Sequence, residues 1–130
     1  MMVWTTIVIL LSGTLTPQQT RQLAERYNQV QQFLEEGRTD LAVQKLTGLV
    51  NDYGNSEYGD ELRYTLAEAF FNQGRFNNAL REFLGLLERS RFSYIKPEAM
   101  FGAAVSYLML GNYRQAQLLL EKLAKEPGYA

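Results

Sequence analysis

The feature that most constrains the fold of this chain is a repeat of 37 residues. Three glycines share the interval, Gly37, Gly74 and Gly111. Three apolar rows keep the same interval, namely Ala42, Ala79 and Ala116; Leu46, Phe83 and Leu120; and Leu49, Leu86 and Leu123. A unit this short cannot bury its own apolar face, so units of this kind stabilise one another by stacking. The period therefore predicts a solenoid of stacked hairpins.

The composition argues against several classes of function, because the residue types on which they depend are absent or few. The 130 residues are 46% hydrophobic, which is enough for one compact domain. There are 13 basic and 14 acidic residues and no long block of like charge, so nucleic acid is not expected as a partner. Without cysteine or histidine, the chain lacks thiolate nucleophiles, imidazole bases and the usual zinc ligands. We expect neither a cofactor nor a metal.

Residues 1–16 differ from the rest of the chain. Residues 3–11 carry no charge, and this run is too short to span a bilayer, which takes about 20 residues, but it matches the core of a secretory signal peptide. No Lys or Arg precedes it, and the alternative is a short first helix or strand packed on the solenoid in a cytoplasmic protein. Thr14 stands where a lipoprotein would carry its lipid-bearing cysteine, so lipidation is not expected. We expect export to the periplasm or cell envelope, with a mature N-terminus after about residue 13 to 16 on N-terminal sequencing, and membrane contact only if the segment is uncleaved.

From Thr16 onward, apolar residues recur at the three- and four-residue spacing of amphipathic helices. Thr16 is suited to cap a first helix that begins at Pro17, and Gly37 is suited to end that helix. The order of helix, glycine and helix follows twice more, which predicts six helices and no strands. The repeats of this single domain, residues 17–130, span about 23–56, 60–93 and 97–130.

Two further glycines, Gly48 and Gly85, share the period inside the second helices of their hairpins. Glycine costs about 1 kcal/mol relative to alanine in a helix interior. We interpret both as positions where the next hairpin packs closely on bare backbone.

The residues that follow two of the turn glycines resemble a known repeat. An aromatic residue stands two positions after the glycine, at Phe76 and Tyr113, and an alanine five positions after it, at Ala79 and Ala116. This order resembles the central signature of the tetratricopeptide repeat. The small and aromatic positions of that family match at Leu66, Ala67, Phe70, Ala103, Ala104 and Tyr107. The resemblance covers about residues 20–126 and implies an all-α, right-handed α-solenoid of three tetratricopeptide-like hairpins.

The sequence also departs from the pattern of the family. The first copy has Thr39 in place of the aromatic residue, and the tryptophan often found early in the first helix is replaced by Arg26, Arg63 and Met100. Each unit is three residues longer than the family's 34, at 57–59 and at 94–96. The first of these junctions, residues 52–64, is similar to that of periplasmic tetratricopeptide proteins that accompany the Tol-Pal system and of outer-membrane assembly lipoproteins related to BamD. Neither specific role carries over, because the lipid-accepting cysteine and the trimerisation segment are both missing.

No set of residues in the sequence forms a catalytic pattern. The paired acids, such as Glu35 with Glu36 and Asp60 with Glu61, sit beside basic residues at helical spacing, as they do on solvated helix faces. Enzymatic activity is not expected. A binding function remains, and a small-molecule or lipid-binding solenoid is a further alternative.

The resemblance implies where a partner would bind, because the first helix of each tetratricopeptide hairpin lines a concave groove. The groove positions recur once per repeat and form three rows: Tyr27, Tyr64 and Phe101; Gln31, Glu68 and Val105; and Leu34, Phe71 and Leu108. Two of the rows are apolar. We expect a groove that holds an extended peptide or a partner helix. The alternative is a structural or self-associating module, or a fragment of a longer repeat protein, in which these side chains pack on their neighbours and no groove is open.

The last helix carries more apolar residues than one buried face requires, at Leu118, Leu119, Leu120 and Leu123. A solenoid usually ends in a helix with a polar outer face. The sequence therefore predicts that a second copy, a partner or further chain covers this helix.

Overall fold

The computed structural model describes residues 14–89 and 94–126. The predicted leader lies outside these residues up to position 13, and so do residues 127–130 of the predicted domain. The described chain divides into two compact units, one that ends at Leu62 and one that begins at Arg63.

The described residues contain six α-helices and no strand. Their bounds are α1 Pro17–Glu35, α2 Thr39–Tyr53, α3 Gly59–Asn72, α4 Phe76–Arg89, α5 Lys96–Met109 and α6 Tyr113–Ala124. The all-α fold class is confirmed, with the helices in three successive hairpins as in tetratricopeptide-type solenoids.

The first helix begins as its sequence predicts. The Thr16 hydroxyl accepts a hydrogen bond from the Gln19 backbone N–H at 3.1 Å, and the Gln19 side-chain oxygen accepts one from the Thr16 N–H at 2.9 Å. This reciprocal capping box satisfies backbone donors that the helix itself leaves open. Pro17 follows in the first turn, where its missing N–H costs nothing.

The three periodic glycines end the first helix of each hairpin in the same way. Gly37, Gly74 and Gly111 have φ values of 73°, 76° and 81°, a left-handed conformation that side chains disfavour. In each case the next residue donates its backbone N–H to a carbonyl five positions back. These bonds join Arg38 to Phe33 at 2.8 Å, Arg75 to Phe70 at 2.9 Å and Asn112 to Tyr107 at 2.8 Å. The pattern is a Schellman motif repeated every 37 residues.

The first unit is held by the packing of α1 against α2. Its buried apolar side chains are Leu23, Val30, Ala42, Val43, Leu46, Leu49, Tyr53 and Leu62. At the edge of this core, the Arg26 guanidinium donates to the Asp52 carboxylate at 2.7 Å and lies 5.6 Å from the centre of the Tyr53 ring. Arg26, which replaces the family's tryptophan, therefore links the two helices by charge and by its contact with an aromatic ring.

In the second unit, α5 packs against both α4 and α6. Small residues line these contacts, and Ala79, Ala99, Ala103, Ala104 and Ala116 are completely buried. The larger buried side chains include Leu66, Phe83, Leu86 and Met100. The alanines allow the helix backbones to approach closely, as the periodic alanines predict.

The interpretation of Gly85 as a close-packing site is wrong, and that of Gly48 needs correction. A methyl group built on Gly85 meets no atom within 4 Å. One built on Gly48 lies 3.3 Å from Nη2 of Arg26, so the neighbour is the preceding helix α1 and not the next hairpin. The tightest approach is at Gly102, where the added methyl group would lie 2.5 Å from two carbons of the Phe83 ring.

Two glycine-to-alanine substitutions should therefore have opposite effects. Gly85→Ala should raise the free energy of unfolding by about 0.5–1 kcal/mol, because alanine favours helix and meets open space. Gly102→Ala should lower it by about 1–3 kcal/mol, because the added methyl group would overlap the Phe83 ring and force it to shift from its edge-to-face contact with Tyr64. Urea denaturation of both variants measures the difference. Equal effects of the two substitutions would contradict the packing described for Phe83.

Candidate functional site

The nine predicted binding residues are all at least partly accessible to solvent, and none belongs to the core. Six side chains are half-buried: Tyr27, Gln31, Leu34, Tyr64, Phe71 and Val105. Three are exposed: Glu68, Phe101 and Leu108. Phe101 keeps 56% of its surface exposed.

Five of the nine residues line one cavity in the second unit. We call it the aromatic cavity, and it has a volume of about 190 Å³. Its predicted members are Tyr64, Glu68, Phe71, Phe101 and Val105, and three more residues complete it, Asn72, Phe83 and Gly102. Four of the eight residues in this lining are aromatic.

Helical periodicity explains how the aromatic cavity is assembled. Tyr64, Glu68 and Phe71 follow one another at spacings of four and three residues along α3, so they share one face of that helix. Phe101 and Val105 are four residues apart and share a face of α5. Between these two faces, α4 contributes the buried ring of Phe83.

Two pairs of aromatic rings fix the α3 face against α4. The Tyr64 and Phe83 rings lie 5.7 Å apart between centres at an angle of 61°, and the Phe71 and Phe76 rings lie 5.0 Å apart at 67°. Edge-to-face pairs of this kind contribute about 0.5–1.5 kcal/mol each beyond the area they bury. The residues on either side of Glu68 on this face are therefore held in place.

Phe76 and Tyr113 occupy the same position of the repeat but differ in their packing. Phe76 is half-buried against Phe71, whereas Tyr113 is exposed. The aromatic residue after the turn glycine therefore packs at the end of the hairpin in the second repeat and not in the third.

Glu68 is the one charged residue in the lining of the aromatic cavity. Although much of the side chain is exposed, partial burial raises the pKa of the Glu68 carboxyl above its usual value. Burial also raises the pKa of Tyr64, and the carboxylates of Glu68 and Glu98 raise it further. Glu68 thus places one carboxylate in a lining of which half is aromatic.

Three residues of the aromatic cavity were not among the predicted site residues. Phe83 belongs to a periodic apolar row, and that pattern assigned it to the core. Gly102 and Asn72 carry no periodic signal, since the matching positions hold other residue types. Leu108, a predicted member, lies on α5 but is not part of the lining.

The predicted residues of the first unit do not join this cavity. Tyr27 lines a separate hollow of about 270 Å³ within that unit. Its other lining residues are Thr20, Leu23, Ala24, Tyr58, Glu61 and Leu62, so α1 faces residues of the first junction, 52–64. Gln31 and Leu34 lie further along α1, on neither lining.

A second exposed surface lies on the last hairpin. Leu118 is 50% exposed and Leu120 is 37% exposed, whereas Leu46 and Phe83, at the equivalent position to Leu120, are 0% and 3% exposed. Met109 and Tyr113 are also exposed. Of the other two leucines of α6, Leu119 is half-buried and Leu123 is buried.

Within residues 14–89 and 94–126, no cluster of three or more acidic side chains is arranged to hold a metal ion. In the same part of the chain, no helix combines the length and the apolarity needed to cross a membrane.

Comparison with known families supports the resemblance noted in the sequence. The model of the tetratricopeptide repeat matches residues 98–128, which contain most of α5 and all of α6. Repeats of this family generally mediate interactions between proteins and are generally not enzymes. No curated protein matches the chain. The match is to the repeat in general and to no subgroup, so the similarity to periplasmic members stays a prediction.

The raised pKa of Glu68 predicts how its substitution affects stability at different pH values. Burial disfavours the charged carboxylate in the folded state only, so stability is lost as the pH rises from the unfolded pKa, about 4.3, through the higher folded pKa. Glu68→Gln removes this loss. The variant should therefore gain stability relative to the native protein between pH 4 and pH 7, as measured by urea denaturation.

Glu88→Gln, at an exposed position of α4, is the control for this experiment. Its stability relative to the native protein should change less with pH than that of Glu68→Gln. If the stability of Glu68→Gln relative to the native protein instead falls as the pH rises, the carboxylate is stabilised, and not penalised, by its surroundings.

Proposed function

We propose that this protein is a non-enzymatic adaptor that holds a peptide or a helix of a partner protein at the aromatic cavity. The observation that carries the proposal is the lining itself, in which the rings of Tyr64, Phe71 and Phe101 remain accessible above the buried Phe83. Aromatic side chains in a concave site are typical anchors of protein interfaces, because they bury a large area with few rotatable bonds.

The size of the cavity favours a macromolecular partner over a small molecule. Small-molecule sites usually measure about 300–1,000 Å³. The aromatic cavity is about 190 Å³ and the hollow beside Tyr27 is about 270 Å³. Each is large enough for a side chain of a longer ligand, and too small to enclose most of a cofactor.

The chemistry of the lining also favours binding over catalysis. Nucleophilic and acid–base mechanisms place a nucleophile or a second titratable group beside the first. Apart from the phenol of Tyr64, the groups that line the cavity with Glu68 are phenyl rings, an amide, an aliphatic side chain and a glycine. Burial and two carboxylates favour the neutral form of that phenol. The rigid ring pairs and the accessible Phe101 suit a surface that recognises a partner.

Peptides selected against the protein from a displayed random library test the proposal, with affinities measured by fluorescence anisotropy. Phe101→Ala should weaken their binding by about tenfold or more, as expected for loss of an aromatic anchor. The fold should persist, because Phe101 is mostly exposed in the free protein. Leu118→Ala, the same kind of truncation at an exposed position of α6, should leave binding unchanged.

The exposed leucines of α6 favour a second candidate function, self-association through the last hairpin. In that case sedimentation velocity should show a concentration-dependent dimer that Leu118→Glu dissociates. A dimer that is lost in Leu118→Glu, together with peptide affinities that Phe101→Ala leaves unchanged, would favour the structural module over the adaptor. A location in the cell envelope is a further proposal that rests on the N-terminal sequence.

A further inference from the structure

The aromatic cavity combines accessible rings with a single charged group, and that group is a carboxylate. We infer that the cavity accepts a cationic side chain, an arginine or a lysine, from the partner. The inference rests on the proposed adaptor function and names the chemistry that the adaptor selects.

The rings provide the first part of the argument. The faces of aromatic rings attract a cation that lies within about 6 Å of the ring centre, and this attraction grows when the site excludes water. Tyr64, Phe71 and Phe101 are each partly accessible and line one small space. A guanidinium or ammonium group in that space would contact more than one ring.

The protein uses the same interaction within its own fold. The guanidinium groups of Arg26, Arg38 and Arg75 lie 5.6, 5.5 and 5.0 Å from the centres of the Tyr53, Phe33 and Phe70 rings. Those three rings lie outside the lining of the aromatic cavity. The lining contains no arginine or lysine, so the cation for this site would come from the ligand.

Glu68 provides the second part of the argument. Its carboxylate lies between Tyr64 and Phe71 along the face of α3, in surroundings that disfavour its charge. A second carboxylate, Glu98, acts electrostatically on Tyr64. A cation entering the cavity would restore the interaction that Glu68 loses with water, and its donors would bond to the carboxylate oxygens.

The other classes of side chain fit less well. An acidic side chain would meet the like charge of Glu68 at short range. An apolar side chain would remove water from the carboxylate without replacing its hydrogen bonds, which is costly for an ionised group. A cation satisfies both the rings and the carboxylate.

N-acetyl-arginine amide and N-acetyl-citrulline amide are suitable probes, because they have nearly the same shape and differ in charge. Titrations of the full chain, followed through the backbone amide resonances of Gly102 and Val105, give an affinity for each probe. We expect the arginine probe to bind at least about fivefold more tightly than the citrulline probe, because only the charged group gains the ring and carboxylate interactions. Equal affinities, or saturation by neither probe, would overturn the inference.

Glu68→Gln should remove most of the preference for arginine and leave the citrulline affinity unchanged. Glu88→Gln, which changes the net charge by the same amount on the exposed part of α4, should leave the preference intact. If both variants lose the preference equally, the cause is the overall charge of the protein and the assignment to Glu68 is wrong.

The peptide selection separates this inference from the proposed function. Peptides that bind, lose affinity in Phe101→Ala and yet contain no excess of arginine or lysine would support the adaptor and overturn the cation site. Selective binding of the arginine probe, with no peptide recovered from the library, would support the cation site and overturn the adaptor.

Discussion

The left-handed turn at each periodic glycine is the constraint on which the other features of the structure depend. A residue with a side chain adopts this conformation at a cost, whereas glycine adopts it freely. The turn directs the N–H of the following residue back to the carbonyl five positions earlier. The carbonyl of that same residue then accepts the first bond of the next helix, as in Arg75 and Ala79 at 3.0 Å. Because no residue separates the end of the turn from the start of the next helix, the register between the two helices of a hairpin is fixed.

That register determines which side chains meet in the second unit. After the turn at Gly74, Phe76 lies against Phe71 near the turn, and Phe83 lies against Tyr64 two turns further on. The two ring pairs hold α3 and α4 together at both ends of the α3 face that carries Glu68. Gly102 then lets α5 approach the ring of Phe83 more closely than any other residue would permit. The aromatic cavity is the space that remains between the rings of α3 and the exposed Phe101 of α5.

The sequence predicted the backbone well because the repeat reports backbone geometry. Glycine at a fixed interval marks positive φ, and alanine at a fixed interval marks close helix contacts, and both hold at all three copies. The same reasoning failed at Gly85, which shares the period but faces open space. It also treated Phe83 and Leu120 alike, although one is buried against α5 and the other is exposed. A period shows which positions are equivalent along the chain, and it does not show what lies next to each of them in space.

For the same reason, the candidate site could be predicted only in part. The groove rows placed Tyr64, Glu68, Phe71, Phe101 and Val105 on accessible helix faces, and the base of the cavity came from a residue assigned to the core. The chemistry of the site comes from a position at which the three repeats carry different residues. The middle row holds glutamine at position 31, glutamate at 68 and valine at 105, so one repeat of the three supplies a carboxylate. The repeated residues build the same scaffold in each unit, whereas selectivity for a charged ligand requires a residue that differs between the units. We therefore expect substitutions at the glycines and alanines to act on stability, and substitutions at Glu68 to act on which ligand the cavity prefers.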